Sequence, residues 1–388
     1  MSRLRRPRNQ AVLVFALFVA GCAALTRAHA PHQSFQTPSP SDIPDDGYKD
    51  YAGVIHVHTT YSHDAHGTFE DVVRVANAQR LSYVITTEHN NLRASQEGRQ
   101  GWHGATLILI GVELSLPDGH YVALDVTEDI DRRNKTTQQV IDEVNAQGGF
   151  GFIAHPYFKK APWKNWSVLG FTGIEAYNVS HDTLDENRLR LVLWTLTAPA
   201  EPLYFSLLDR PYDPLTKWDE LIRRHGRVVG IGSTDAHEFH LMGLKFAPYE
   251  DMFQLVQTHV LVPAATLTPE GVYGALRRGH AYLSVELVGP ASGFQFLAET
   301  DGRVAGIMGD EVALQPGLYL TVSLPSAGAM VLFRDGRPIA STIAQTWHVP
   351  VDTAGAYRLE ASRHGKPWII SNPIYVRPPA QVVDSPQS

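Results

Sequence analysis

The chain of 388 residues has a single cysteine, Cys22, and therefore no internal disulfide. An oxidising compartment would add nothing to its stability. It lacks an excess of basic charge: 33 Lys and Arg stand against 40 Asp and Glu, for a net charge of -7. Without a basic face to displace counterions from a polyanion, no nucleic-acid partner is expected. A membrane-spanning run is missing too, because the apolar stretch "AVLVFALFVAG" near the amino terminus is too short to favour a span. Nor is there a "GxSxG" elbow, so neither Ser nor Cys is expected as a nucleophile.

What is present begins with that apolar stretch. Arg3, Arg5, Arg6 and Arg8 precede it, which is the layout of an export signal, and it runs into "VAGC". That ending resembles a bacterial lipobox, in which Cys22 becomes the lipidated first residue. Cleavage after "AHA" (Ala28 to Ala30) is the alternative and would release a soluble periplasmic or secreted protein, with Pro31 directly after the cut. The expectation is a signal peptide over residues 1–22 and a Pro- and Ser-rich flexible linker over residues 23–50. The protein would be exported to the bacterial cell envelope, at the periplasmic or outer-membrane face, and touch the membrane by its lipid anchor alone.

With 44% hydrophobic and 19% charged residues, the rest can bury a large core and leave room for a second unit. From Gly53 to about Ala236, short β-rich apolar runs end in His, Glu or Asp: "VIHVH", "YVITTEH", "LILIGVE", "FGFIAHP", "GIEAYN" and "VVGIGSTDAH". Helical segments lie between them. Thr68 caps "TFEDVVRVANAQR"; Thr136 and Gln139 stand at capping-box spacing with Gly148 as a stop; "KWDELIRRHGR" ends near Gly226. Alternation of this kind implies parallel strands with helical crossovers, with polar residues gathered at the strands' carboxyl ends.

His56 and His58, two apart on an extended strand, project to one face. A single "HxH" is weak evidence, but His89, Glu113, His155, Asp235 and His237 take the same position on their own strands. Mixed imidazole and carboxylate donors suit zinc, iron or manganese and argue against an all-oxygen calcium site.

Taken in order, "HVHTTYSHD", "TTEHN", "GVELS", "GHYVAL", "AHP", "GIEAYN" and "GSTDAH" resemble the polymerase and histidinol phosphatase (PHP) domain. The resemblance implies a distorted seven-stranded (β/α) TIM-like barrel holding two or three divalent ions and hydrolysing phosphoesters. Carried onto these positions, it implies His56, His58, Glu113 and Asp235 at one metal; Glu113, His120 and His155 at a second; and Asp64, His89 and His237 at a third. Glu113, His155 and Asp235 would hold a hydroxide between the metals. His120 rests on "GHYVAL" and is otherwise a loop histidine after "LPDG". Glu88 replaces the family's usual Asp, and is a ligand, a bystander or, as preferred here, an orienter of His89. His63 is a rival to Asp64, because neighbours face opposite ways and register is unknown.

Near the rim, Lys159, Lys160 and His181 are candidates for a leaving-group acid or anion clamp, with surface positions as the alternative, while Asn178 orients substrate or caps a turn. Trp163 and Trp166 wall the pocket or cover a core edge, His225 serves a helix end, and His66 belongs to a loop. From about Gly293, short strand-like runs split by "DG" and "PG" suggest a small antiparallel β-sandwich, with Tyr357 at a tyrosine corner. The ending resembles the carbaryl-hydrolase-like (CehA/McbA) branch, whose substrates are not confined to phosphoesters. The expected layout is a barrel over residues 51–290, a sandwich over 291–378 and a disordered tail from 379. The expected activity is phosphoester hydrolysis of a small molecule. Carbamate or carboxylic-ester hydrolysis, or a metal-binding surface lipoprotein without catalysis, are the alternatives.

Overall fold

The computed structural model describes residues 45–181, 200–241 and 244–379. The expected leader, its lipobox and most of the linker lie outside these residues, as does the tail beyond Pro379. Eight strands come first: β1 Lys49–Val57, β2 Tyr83–His89, β3 Gly101–His103, β4 Thr106–Leu116, β5 Gly119–Leu124, β6 Phe150–Ala154, β7 Gly173–Asn178 and β8 Val229–Ser233. The short β9 Phe239–Leu241 and β10 Leu244–Phe246 form a hairpin, and β11 Gln257–Val262 and β12 Ala281–Ser284 follow.

Helices fill the gaps where the caps foretell them. The helix Phe69–Ala78 starts at Thr68, whose hydroxyl accepts from the Asp71 amide while Asp71 accepts in return, and Thr136 and Gln139 form the same reciprocal box before Thr137–Ala146. The helix Tyr212–His225 stops at Gly226, with φ of 85°.

Pairing runs β1–β2, β2–β4, β6–β7 and β7–β8 in parallel, as expected, but β4–β5 and β5–β6 are antiparallel. The reason is local: only Pro117 and Asp118 separate β4 from β5, and a parallel crossover needs a dozen residues or more. Beyond β8 the backbone returns to β1. The Thr234 amide donates to the Ile55 carbonyl at 3.1 Å, the His58 amide donates to the Ala236 carbonyl at 2.9 Å, and Val57 bridges Ala236 in parallel. Along the other half of the same edge, β11 pairs antiparallel with β1 from Lys49 to Gly53.

Side chains alternate between two apolar clusters. Ile55, Ile85, Leu107, Leu109, Val122 and Phe152 face one cluster, while Val54, Val84, Ile108, Ile110, Tyr121 and Ile153 face the other, under the helices. Strands buried on both faces explain why these runs are apolar throughout. The helix Pro269–Arg278 packs Val272, Tyr273, Ala275 and Leu276 into the first cluster.

The carboxyl-terminal region is nearly all strand: β13 Gln295–Thr300, β14 Arg303–Ile307, β15 Glu311–Ala313, β16 Leu318–Arg334, β17 Arg337–Pro350, β18 Gly355–Arg363, β19 Lys366–Ser371 and β20 Ile374–Arg377. Its pairings are antiparallel except β15–β20. Asp335 and Gly336, with φ of 51° and 78°, make the two-residue turn between β16 and β17 that such positive angles suit. The Tyr357 hydroxyl donates to the Thr353 carbonyl at 2.6 Å, the expected tyrosine corner. This region is stitched to the preceding one, because β19 pairs with β12. The whole is a mixed α/β fold with a sheet-rich carboxyl-terminal part.

Candidate metal centre

Most residues of the predicted constellation sit at or just past a strand's carboxyl end, with His120 at the amino end of the reversed β5 and Asp64 in the loop after β1, and the backbone there is unusual. His56, His155 and Asp235 are non-glycine residues with φ of 66°, 24° and 50°. Such angles persist only where the surroundings impose them, and they gather at functional sites. At His56 the β1–β2 register slips by a residue. Simple two-residue alternation is therefore not what brings His56 and His58 together; the bulge aims both rings inward.

Their Nε2 atoms meet two carboxylates. His56 Nε2 lies 3.3 Å from Glu113 Oε2 and 3.4 Å from Asp235 Oδ1, and His58 Nε2 lies 3.3 and 3.2 Å from the same two atoms. All four atoms are buried, and none has a hydrogen-bond partner. Ligands about 2.0–2.1 Å from a tetrahedral ion stand about 3.3 Å from one another. The four imidazole-to-carboxylate distances match that spacing and all four atoms lie within 4.8 Å of one another, so this donor set fits a divalent metal.

What lies behind each ring fixes which nitrogen is free. His56 Nδ1 donates to Glu175 Oε1 at 2.5 Å, leaving the Nε2 lone pair toward the carboxylates. His58 Nδ1 donates to Ser62 Oγ at 3.1 Å, and Ser62 Oγ donates to Glu88 Oε2 at 2.6 Å. Glu88 also accepts from the Thr59 amide and hydroxyl. It thus orients the His58 ring and its loop, not the His89 ring as expected, and its carboxylate is used up before it could ligate a metal.

Glu113 faces two ways. Its Oε2 meets His56 and His58 and lies 2.9 Å from His89 Nδ1, while its Oε1 lies 2.6 Å from His120 Nδ1 and 2.9 Å from His155 Nε2. His120 is on β5, opposite Ser115 and Ala154, and not in a loop. A third group gathers at the rim: His89 Nε2 lies 3.2 Å from Asp64 Oδ2, His237 Nε2 lies 3.7 Å from Asp64 Oδ1, and the His58 ring packs against both His89 and His237, at 4.4 and 4.2 Å. His63 is 80% exposed, whereas Asp64 lies against His89 and His237. His66 accepts from the His240 amide and takes no part.

The field of the cluster is strong. Burial alone would lower the His56 pKa, but the carboxylates of Glu175, Asp235 and Glu113 hold it well above the usual value. Likewise His89 is lowered by burial and then raised by Asp64 and Glu113 to about 10. Burial would raise the acids, yet the facing imidazoles hold Glu113 and Asp235 well below the usual carboxylate range and Asp64 at about 2. His237 goes the other way, to about 4, through burial and the His58 charge. Acids held ionised in so dry a site draw cations.

Among the described residues, four groups of three or more donors have the closeness a metal needs: His56, His58, Glu113 and Asp235; Glu113, His120 and His155; His58, His89 and His237; and His155, His181 and Asp235. The last brings in His181, expected only as a rim residue. Its Nε2 lies 2.6 Å from Asp235 Oδ2 and its ring packs 3.8 Å from Phe158. Asn178 is buried, donating to Glu175 Oε2 and accepting from the His181 amide, so it positions those two residues. Lys159 stays exposed on the loop after β6. Trp163 is buried and Trp166 lies beneath Lys217, so neither walls the cluster. The sequence reading missed Glu175, whose one signal is an acid inside the apolar run "GIEAYN".

Residues 55–207 match the PHP domain family. His56, His58, Asp64, His89, Glu113, His120, His155 and His181 fall inside the matched segment, whereas Asp235 and His237 lie beyond it, in the stretch that follows strand β8. No curated protein matches the chain by sequence. Among solved structures, a two-domain protein from Bacteroides vulgatus containing a predicted PHP-like metal-dependent phosphoesterase is 15% identical, with 89% of this chain and 100% of that one covered at a TM-score of 0.42. PsfC from Pseudomonas syringae is 14% identical, over 62% and 93% of the two chains at 0.40, and an amidohydrolase from Chromobacterium violaceum with bound sulfate is 14% identical, over 48% and 87% at 0.31. Scores this low settle neither the topology nor the chemistry.

Proposed function

We propose that the protein is a metal-dependent hydrolase of the PHP superfamily acting on a small-molecule phosphoester. One observation carries the reading: the four buried atoms of His56, His58, Glu113 and Asp235 that make no hydrogen bond, with imidazole-to-carboxylate distances that match ligands on one ion. Together with Glu113, His120 and His155, and with Asp64, His89 and His237, they offer places for two or three ions of zinc, manganese or iron. Bound there, such ions supply Lewis acidity: they lower the pKa of water, polarise the substrate oxygen and offset transition-state charge. Structural sites close around one ion with four ligands, whereas this set spreads over adjoining groups that share His58, Glu113, His155 and Asp235, which favours a catalytic role.

The chain's own residues do the positioning. Glu175 and the Ser62–Glu88 pair keep the Nδ1 protons of His56 and His58 away from the centre. Glu113 joins two donor groups through its two oxygens, and Asp235, Glu113 and His155 surround the point where a nucleophilic oxygen would be held. Phe158 and Phe239 pack on His181 and His237 and shield the rim from water. In the same reading β1, β2 and β4 to β8 form a distorted seven-stranded TIM-like barrel, with β3 as a side strand on β4, supported by the return contact at Val57 and Ala236 and by the alternating clusters. Membership of the carbaryl-hydrolase-like (CehA/McbA) branch, export and a lipid anchor at Cys22 complete the proposal, supported by the leader and the carboxyl-terminal extension.

The test is hydrolysis of p-nitrophenyl phosphate, bis-p-nitrophenyl phosphate and an aryl carbamate, before and after chelation and metal re-addition, with Asp235→Ala as control. Chelator-sensitive turnover of a phosphoester supports the reading. Turnover of the carbamate alone moves it to carbamate hydrolysis, and no turnover with metal fully bound sinks it.

A further inference from the structure

The strand β7 itself supplies none of the donors assigned above, yet its carboxyl end braces three of them. Glu175 accepts from the His56 ring at 2.5 Å and from the His155 amide at 2.6 Å. Three residues on, Asn178 donates to Glu175 Oε2 at 2.8 Å and accepts from the His181 amide at 3.2 Å. A further three on, His181 Nε2 lies 2.6 Å from Asp235 Oδ2. Between them Ser180 ties the backbone to the stretch after β8, its hydroxyl donating to the carbonyls of Thr234 and Asp235 at 2.6 and 3.1 Å.

His181 is either a ligand or a hydrogen-bond donor, and the distance decides. Two ligands of one tetrahedral ion stand about 3.3 Å apart, whereas a charge-assisted N–H···O bond to a carboxylate is about 2.7–2.9 Å long. The His181–Asp235 pair, at 2.6 Å, is a hydrogen bond, so the imidazole proton is on Nε2. The other nitrogen agrees, because Nδ1 is buried and makes no hydrogen bond, which a lone pair tolerates better than an N–H. Phe158 and His155 pack on the ring at centroid distances of 3.8 and 4.6 Å and hold its plane. The two oxygens of Asp235 are therefore divided: Oδ1 faces His56 Nε2 and His58 Nε2 at 3.4 and 3.2 Å, while Oδ2 is taken by His181.

We propose that His181 is a positioning residue that restricts Asp235 to one oxygen on the ion of the four-donor group, which keeps a coordination place open there for substrate or water. The proposal rests on the metal-centre part of the hydrolase reading and not on which ester is cleaved. A catalytic site needs such an open place. Without the bond from His181, Asp235 turns and chelates through both oxygens, and the extra contact fills it.

The full chain is loaded with one equivalent of cobalt(II), whose visible absorption reports coordination geometry. The first equivalent is read because the four-donor group is wholly buried and has the most ligands. In His181→Ala the visible bands are expected to shift and lose intensity as the coordination number rises. His181→Gln, whose amide N–H reaches the same oxygen, is expected to restore the wild-type spectrum. A wild-type spectrum in folded His181→Ala overturns the proposal. So does an altered spectrum that Gln fails to restore, or the loss of a bound ion in both variants by elemental analysis, which would make His181 itself a ligand. Should His181→Ala not fold, ring-nitrogen NMR of the zinc-loaded wild type decides: a neutral imidazole protonated at Nε2 supports the proposal, and a zinc-bound or Nδ1-protonated one overturns it. Folded wild type that takes up no cobalt overturns this proposal together with the metal centre, whereas cobalt uptake without turnover of any ester counts against the hydrolase reading alone.

Discussion

Glu175 makes His56 a ligand-shaped residue. Its carboxylate fixes the Nδ1 proton and, through its second oxygen, takes the His155 amide at 2.6 Å, so one buried acid sets two members of the donor set. Orienting partners of this kind typically change metal affinity 10–100-fold when lost. Glu175→Gln is therefore expected to weaken zinc or manganese binding by about 10–100-fold in a competition titration against a chelating dye. Affinity equal to wild type would mean that His56 needs no such partner. At this scale most donors were legible, because each stands where an apolar run turns polar. Glu175 was not, since an acid within a strand reads equally as a surface position until the strand is known to be buried on both faces. Glu88 was placed behind the wrong histidine for a related reason: its partners Thr59 and Ser62 arrive through a loop whose path no spacing encodes.

The strands β1, β11 and β12 meet at a second buried charged group, built on Asp50 near the amino end of the strand that carries His56. His259 Nδ1 donates to Asp50 Oδ1 at 2.7 Å, the Tyr282 hydroxyl donates to Asp50 Oδ2 at 2.6 Å, and Glu286 lies 3.5 Å from His259 Nε2. Burial lowers the His259 pKa, but Asp50 and Glu286 outweigh it and raise it from 6.5 to about 9. An imidazole whose pKa is higher folded than unfolded adds stability that is complete below the unfolded value and disappears as pH rises through the folded one. Thermal stability should accordingly fall between pH 6.5 and 9, and His259→Gln should flatten that fall in melting curves. A slope identical to wild type would remove His259 from the account. Element types and caps were legible here, as at Thr68 and Thr136. The reversed β5 was legible in hindsight from the two residues after Leu116, whereas the partnership of β1 with β11 depends on residues some two hundred positions apart.

Across the whole molecule, Arg358 joins the helix-bearing part to the carboxyl-terminal strands, pairing with Asp219 of the helix Tyr212–His225 at 2.8 Å and with Glu360 at 2.6 Å. Breaking a buried pair strands the partner charge and costs about 3–5 kcal/mol. Arg358→Met is expected to lower stability by an amount near the lower end of that range, since Arg210 still holds Glu360, read as a shift in the urea unfolding midpoint. An unchanged midpoint would mean the joint is held by β12 and β19 alone. The change of texture near Gly293 is visible in the sequence, but the strand pairing and ion pairs that cross it are not, because they join segments with no local signal in common. The central claim remains the buried donor set, and elemental analysis of the folded chain after incubation with zinc, manganese or ferrous iron and removal of free ions tests it most directly. The account predicts about two to three ions per chain, reduced in Glu113→Ala, whose carboxylate joins the groups; no ion above background on folded wild-type protein would contradict it.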